Sequence, residues 1–189
     1  MTKTHVNLKI LYFSVYMTKS CIFAKMRYEI RMCDASISQK LNCLHVIKHS
    51  FPHKSDFGVK YMNQFESCFV HEHLGQIVAV LALTVAVGAG EKILNIQNVC
   101  VLPEYRKRGI GGKLLEELIH TKAQKYTLQL HVDLEQPHGF NSEQMFGPPP
   151  SFLLNWYKKH GFLIHSRNEV EVEMRLVAKD NNDRNIFFN

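Results

Sequence analysis

At 189 residues, with 46% hydrophobic and 21% charged residues, the chain suits one globular domain with a sizeable core. Lys+Arg 23 against Asp+Glu 17 gives a formal net charge of +6; the cations form no tract, which favours a nucleotide-like anionic partner over nucleic acid. Cys21, Cys33, Cys43, Cys68 and Cys100 are odd in number and hold no CxxC pair, which excludes a disulfide framework or zinc ribbon and fits a reducing, cytoplasmic compartment. No apolar run approaches the ~20 residues of a membrane span.

Residues 1–25 carry Lys3, Lys9, Lys19 and Lys25, no acidic residue, and a short apolar patch over residues 10–17 that no small-residue cleavage site follows. They are expected to be an extension, with the domain spanning 26–178 and a polar tail at 179–189. Residues 26–32 are predicted to be the opening strand. Over 36–50, Ile37, Leu41, Leu44, Ile47 and Phe51 recur at helical spacing, with Asp34 or Ser36 as N-cap and Pro52 as the stop. A short helix is expected near 60–65. Two antiparallel strands joined by a turn at Leu74-Gly75 follow, then a strand over 93–101.

The spacing of Ile110, Leu114, Leu115, Leu118 and Ile119 predicts a helix over 110–122, and a strand is expected over 126–132. The breaker-rich stretch 133–150 reads as a long loop. Ser151 is the expected cap of a last helix over 152–159, stopped by Gly161, with two short strands after it. His45, His49 and His53 share a spacing of four, but Pro52 interrupts it, so they read as a helix face and no metal site is expected. Cys100 reads as a buried strand cysteine.

The chemistry concentrates in Val99-Cys-Val-Leu-Pro-Glu-Tyr-Arg106-Lys107-Arg108-Gly109-Ile110-Gly111-Gly112. A strand feeding a basic, glycine-rich turn that opens a helix is a pyrophosphate site: free N–H groups face the anion, glycines allow close approach and the helix dipole adds attraction. The GK[ST] ending of a P-loop and the GxGxxG of a dinucleotide fingerprint are both absent.

Arg106-x-x-Gly109-x-Gly111 resembles the acetyl-CoA motif of the GNAT N-acetyltransferases, and Tyr157-Lys-Lys-His-Gly161-Phe162 resembles the family's late helix and turn. The resemblance spans about residues 26–177. It implies an α+β GNAT acyl-CoA N-acyltransferase fold, with a mixed, largely antiparallel sheet flanked by helices, and an acyltransferase that uses acetyl-CoA as co-substrate. By position it implies that Val99, Cys100 and Val101 offer backbone groups to the pantetheine arm near a β-bulge. Arg106, Lys107, Arg108, Gly109, Ile110, Gly111 and Gly112 would hold the pyrophosphate, and Tyr157 would protonate the departing thiolate. Tyr157 is alternatively a packing residue.

A phenol near ~10 protonating a thiolate near ~8.5 runs uphill by about 2 kcal/mol, so the role asks for a lowered pKa, to which Lys158 and Lys159 would contribute. Where the family often places a carboxylate or histidine base, this chain has Asn95 and Gln97, neither of which is a base. The expectation is that they order a water, with His131, Asp133 or Glu135 as proton sink. Asp133, Glu135 and His138 are also candidates to line an acceptor pocket, or are a solvated loop. The expected acceptor is a small amine, a polyamine or arylalkylamine, ahead of a protein N-terminus or lysine; a non-catalytic CoA-binding module is the third alternative. No membrane or nucleic-acid partner is expected, and a monomer and a homodimer are equally compatible with the sequence.

Overall fold

The computed structural model describes residues 26–51, 58–87, 91–134 and 148–178. The expectations for residues 1–25, for the 179–189 tail, for His53, and for Glu135 and His138 lie outside the described residues.

The elements run β1 (Met26–Arg31), α1 (Ile37–Ser50), α2 (Val59–Met62), β2 (Ser67–His73), β3 (Gln76–Val87), β4 (Lys92–Val101), α3 (Ile110–Lys122), β5 (Thr127–Asp133), α4 (Pro150–Lys159), β6 (Leu163–Arg167) and β7 (Glu171–Leu176), with one 3-10 turn at Pro103–Tyr105. The seven strands form one sheet in the order β1-β2-β3-β4-β5-β7-β6. Only the central β4–β5 pair is parallel; the other neighbours are antiparallel. This is the expected mixed, largely antiparallel sheet.

Strand alternation divides the core between the two sheet faces. Cys68, Val70, Val78, Val80, Ala82 and Cys100 pack with Cys43, Leu44, Val46 and Ile47 of α1 and Met62 of α2. Their chain neighbours Phe69, Ala79, Leu81 and Leu83 turn the other way, onto Leu114, Leu115 and Leu118 of α3 and Tyr157 of α4. The sheet is therefore sandwiched, with α1 and α2 on one face and α3 and α4 on the other.

Three local details differ from expectation or sharpen it. Helix α1 is capped by Ser36 in a capping box with Gln39, but its buried arc is Cys43, Leu44, Val46 and Ile47, while Ile37 and Leu41 are exposed. The sequence stripe is thus rotated, and burial is confined to the half of the helix that lies over the sheet. Helix α4 begins at Pro150 with Pro149 as N-cap, so Ser151 lies inside the first turn and caps nothing; a proline in the first turn loses no helical hydrogen bond. The same helix ends in a Schellman motif. Phe162 N–H donates to Tyr157 C=O (3.2 Å) and Gly161 N–H to Lys158 C=O (3.0 Å), Gly161 takes φ +91°, and the Phe162 and Tyr157 rings meet edge to face at 5.8 Å.

Candidate functional site

The site begins at an irregularity in β4. Ala82 pairs with Asn98 but Leu83 pairs with Ile96, so Gln97 is an extra residue bulged out of the β3–β4 ladder. The bulge reverses side-chain parity: Leu94 and Ile96 before it and Val99 and Val101 after it all turn toward the α3 face. Pairing of β4 with β5 covers Ile93–Thr127 to Ile96–Leu130 and stops there. Beyond Gln97 the two parallel strands part company.

The parting leaves backbone groups facing a gap. Leu102 N–H donates to Val78 C=O at 3.0 Å, which makes Leu102–Val78 a hydrogen-bonded pair and, by antiparallel alternation, Cys100–Val80 another. Cys100 therefore spends its N–H and C=O on β3, whereas the N–H and C=O of Val99 and the N–H of Val101 point away from β3 into the gap. The Cys100 side chain lies on the opposite face against α1. Burial pushes its thiol up to about 12, with Ser50 and Arg106 only partly offsetting this, so it behaves as a packing residue, as the sequence suggested.

The loop after β4 aims the start of α3 at this gap. Arg106 Nε donates to Val101 C=O at 2.9 Å, which straps the loop to the end of the strand. Arg108 donates to Glu104 C=O at 2.7 Å and lies over the Tyr105 ring at 5.3 Å. Lys107 and Gly109 both have left-handed backbones, φ 58° and 73°, a conformation that costs a non-glycine residue about 1–2 kcal/mol. Gly109 is the N-cap of α3 and contributes no side-chain cap. The first-turn N–H groups of Ile110, Gly111 and Gly112 precede the first intrahelical donor, Lys113, which bonds Gly109 C=O at 3.1 Å.

This stretch fits a phosphate-bearing group. A Cβ added at Gly111 would lie 3.7 Å from Val101 Cγ2 and 3.9 Å from Val99 Cγ1 and Trp156 Cζ2, and one added at Gly109 would meet nothing within 4 Å. Neither glycine is demanded by packing; what a side chain at Gly111 would take is the clear approach to the helix start. Arg106, half-buried and engaged through Nε, acts first as the loop's brace, leaving exposed Lys107 and Arg108 as the freer cations.

Tyr157 sits on the α3 face, 8% exposed, with its ring edge-on to Trp156 at 4.7 Å. Burial, and secondarily the charge of Cys100, holds its phenol well above the usual range. Lys158 and Lys159 are exposed. The expected lowering by these lysines is therefore corrected: the shift is upward, with burial its leading cause, and the hydroxyl stays neutral as a donor.

The opposite face of the split is polar. Asn95 is half-buried, and Gln97 is exposed with its amide donating to Thr84 Oγ1 at 3.0 Å. Asn95 and Gln129 are partners across β4 and β5. His131 Nδ1 lies 3.3 Å from Glu171 Oε2, and its Nε2 lies 3.3 Å from Gln129 Nε2. Asp133 is exposed at the end of β5. Burial alone would raise Glu173, but Arg175, at 2.6 Å, together with Ser166, brings it below the usual carboxylate range. Sequence reasoning missed Gln129 and Glu171; the available signal was the alternation of Gln129 and His131 with apolar Leu128, Leu130 and Val132. Among the described residues no group of His, Cys, Asp and Glu could hold a metal ion, and no helix is long and apolar enough to cross a membrane.

A strand split at a bulge, with a basic turn and an open helix start beside it, is an arrangement that suits a phosphate-bearing ligand. The Acetyltransferase (GNAT) domain family matches residues 64–163, and the chain belongs to that family of acetyltransferases. No curated protein matches by sequence. Among solved structures, the chain resembles the ribosomal-protein-S18-alanine N-acetyltransferase of Escherichia coli, with TM-score 0.59 and 18% identity over 86% of this chain and 100% of that one. It also resembles an aminoglycoside 6'-N-acetyltransferase complexed with coenzyme A, with TM-score 0.62 and 14% identity over 80% and 96%. Arabidopsis thaliana Naa50 in complex with the bisubstrate analogue CoA-Ac-MVNAL gives TM-score 0.55 and 16% identity over 79% and 97%.

Proposed function

We propose that the chain transfers the acetyl group of acetyl-CoA to a primary amine, with a small amine of the polyamine or arylalkylamine kind as acceptor. The observation that carries this reading is the continuity of the site: the Gln97 bulge, the split between β4 and β5, and the uncapped start of α3 follow one another within a single stretch of chain. Acetyl-CoA supplies a thioester carbonyl activated toward attack. The N–H groups of Ile110, Gly111 and Gly112, with Lys107 and Arg108, would hold its pyrophosphate. The backbone of Val99 and Val101 would hold its arm, and the Val99 N–H, turned into the gap, is the donor available to a developing oxyanion.

Tyr157 would donate its hydroxyl proton toward the leaving sulfur, as a neutral donor in a dry site. Since burial raises its pKa, full transfer from the phenol is steeper than the ~2 kcal/mol of an ordinary tyrosine–thiol pair, so the leaving thiolate must draw the proton as the C–S bond breaks. On the other face Asn95 and Gln97 would flank the approaching amine, and His131, beside Glu171, would be the proton sink. We take the domain as residues 26–178.

The test is acetyl transfer by the full chain across polyamines, arylalkylamines, and peptides with free N-termini or lysines, read as acetylated product and released thiol. Acetylated small amine is expected. Modification of peptides alone would move the acceptor to the protein class; acetyl-CoA binding with no acetylated product from any amine would contradict catalysis.

A further inference from the structure

On the α3 face of the split, one side chain reaches from α4 to α3. Helix α3 packs over β2, β3 and β4, and helix α4 over β5, so the gap that opens between β4 and β5 beyond Gln97 lies between the two helices. Trp156 of α4 spans that interval. A Cβ built on Gly111, in the first turn of α3, would stand 3.9 Å from Trp156 Cζ2 and from Val99 Cγ1, and 3.7 Å from Val101 Cγ2. The indole thus stands beside the two residues whose backbone groups face the gap.

Three features suit this ring to a ligand. Trp156 is half-buried, so part of it is open to solvent. Its N–H, a donor only, has no acceptor among the described residues and is not among the polar atoms sealed from solvent. The ring is also held in place, edge-on to Tyr157 at 4.7 Å and tilted against His160 at 5.1 Å. A molecule lying on it meets a surface already ordered, which lowers the entropy cost of binding.

We propose that Trp156 is a carrier-contacting residue: its indole lies along the arm that joins the thioester of acetyl-CoA to the pyrophosphate, and its N–H donates to an amide oxygen of that arm. The arm is a chain of methylenes and amides, which takes an apolar ring for the first and a donor for the second. Its place follows from the neighbours of the ring, with Gly111 at the phosphate end and Tyr157 at the sulfur end. Trp156 lies outside the arginine-glycine and tyrosine-glycine motifs, so this contact belongs to the chain rather than to either motif. The inference rests on the acetyl-CoA reading, and its test separates the two.

Trp156 is the one tryptophan of the chain, so its fluorescence reports on this position alone. Saturating the full chain with CoA or acetyl-CoA should reduce acrylamide quenching of that fluorescence along the same isotherm that calorimetry gives. ADP, which carries the pyrophosphate without the arm, should leave quenching unchanged. Trp156→Ala should weaken CoA binding on the order of tenfold with ADP affinity kept, and Trp156→Phe, which keeps a ring, should recover most of the loss. Calorimetric binding of CoA with quenching unchanged overturns the contact and leaves the acetyl-CoA reading in place, as does an alanine variant with wild-type CoA affinity. Equal protection by ADP, or equal loss of CoA and ADP affinity in the alanine variant, assigns Trp156 to the phosphate end or to support of the fold and overturns the arm contact. The quenching measurement needs no variant, so it decides even where alanine loosens α4. No calorimetric binding of acetyl-CoA contradicts the reading and the contact together; protection by CoA without acetylated product from any amine upholds the contact and contradicts catalysis.

Discussion

The two sides of the β4–β5 split are built on opposite rules. On the α3 side every inward position is apolar: Leu94, Ile96, Leu128, Leu130, Val132, Tyr157 and Phe162 pack with Leu114, Leu115 and Leu118, most of them fully buried. On the other side Asn95, Gln129, His131, Glu171, Glu173 and Arg175 occupy the face, and two amide oxygens there have no donor among the described residues. The first arrangement maximises burial and fixes the split; the second gives up stability, since an unpartnered buried acceptor costs about 1–3 kcal/mol. That asymmetry suits the proposed site, with the carrier held against the apolar side and an amine approaching from the polar one.

The largest effect expected of breaking the apolar side is Tyr157→Phe. Removing the hydroxyl while keeping the ring against Trp156 and Phe162 should lower the single-turnover rate about 10²–10⁴-fold with little change in the KM for acetyl-CoA. The raised phenol pKa gives a pH signature as well. The group stays protonated, and so remains a donor, as pH rises through the ordinary tyrosine value of ~10, so wild-type activity should show no basic limb from this residue. Unchanged single-turnover transfer in the variant would return Tyr157 to a packing role.

Next in size is Gly109→Glu, which sets a carboxylate where the α3 N–H groups face outward. Loss of two charge-assisted bonds corresponds to roughly 10²–10⁴-fold weaker acetyl-CoA binding, measured by calorimetry. Because Gly109 has φ 73°, the left-handed backbone adds about 1–2 kcal/mol of destabilisation, so Gly109→Asn, better tolerated in that conformation, is the control for fold.

Gly161→Ala sharpens the structural half of the comparison. Its φ of +91° and a new Cβ at 3.4 Å from Leu176 Cδ1 predict a loss of about 1–2 kcal/mol in denaturant unfolding, with Tyr157 disturbed through the shared Schellman motif. Asn95→Leu should act in the opposite sense: replacing an orphan acceptor by an apolar side chain of similar shape predicts neutral to about 1 kcal/mol greater stability in the same measurement. Smallest of all, a chain beginning at Met26 should melt at the wild-type temperature; a markedly lower value would mean that residues 1–25 pack on the domain.

The sequence carried the apolar side of this comparison far better than the polar one. Helix α3 runs Ile110–Lys122, the bounds that its leucine spacing predicts, because an amphipathic helix on a sheet writes its period into consecutive residues. Gly161 marked the end of α4 for the same local reason. The start of that helix misled, since Ser151 is a common cap but Pro149-Pro150 fixed the entry two residues earlier. The Gln97 bulge, the turn of Arg106 onto Val101 C=O, and the pairing of Asn95 with Gln129 are decided by register between strands distant in sequence, and no local pattern encodes them. Gln129 in particular is unremarkable until β5 is laid beside β4.

The account turns on the carrier occupying the split and the start of α3 together, and backbone amide chemical shifts during titration with acetyl-CoA test that directly. The account predicts saturable shifts at Val99, Val101, Ile110, Gly111 and Gly112, with Ile93 and Leu94, on the fully paired half of β4, nearly unmoved. Saturable binding that leaves those five amides in place would contradict it.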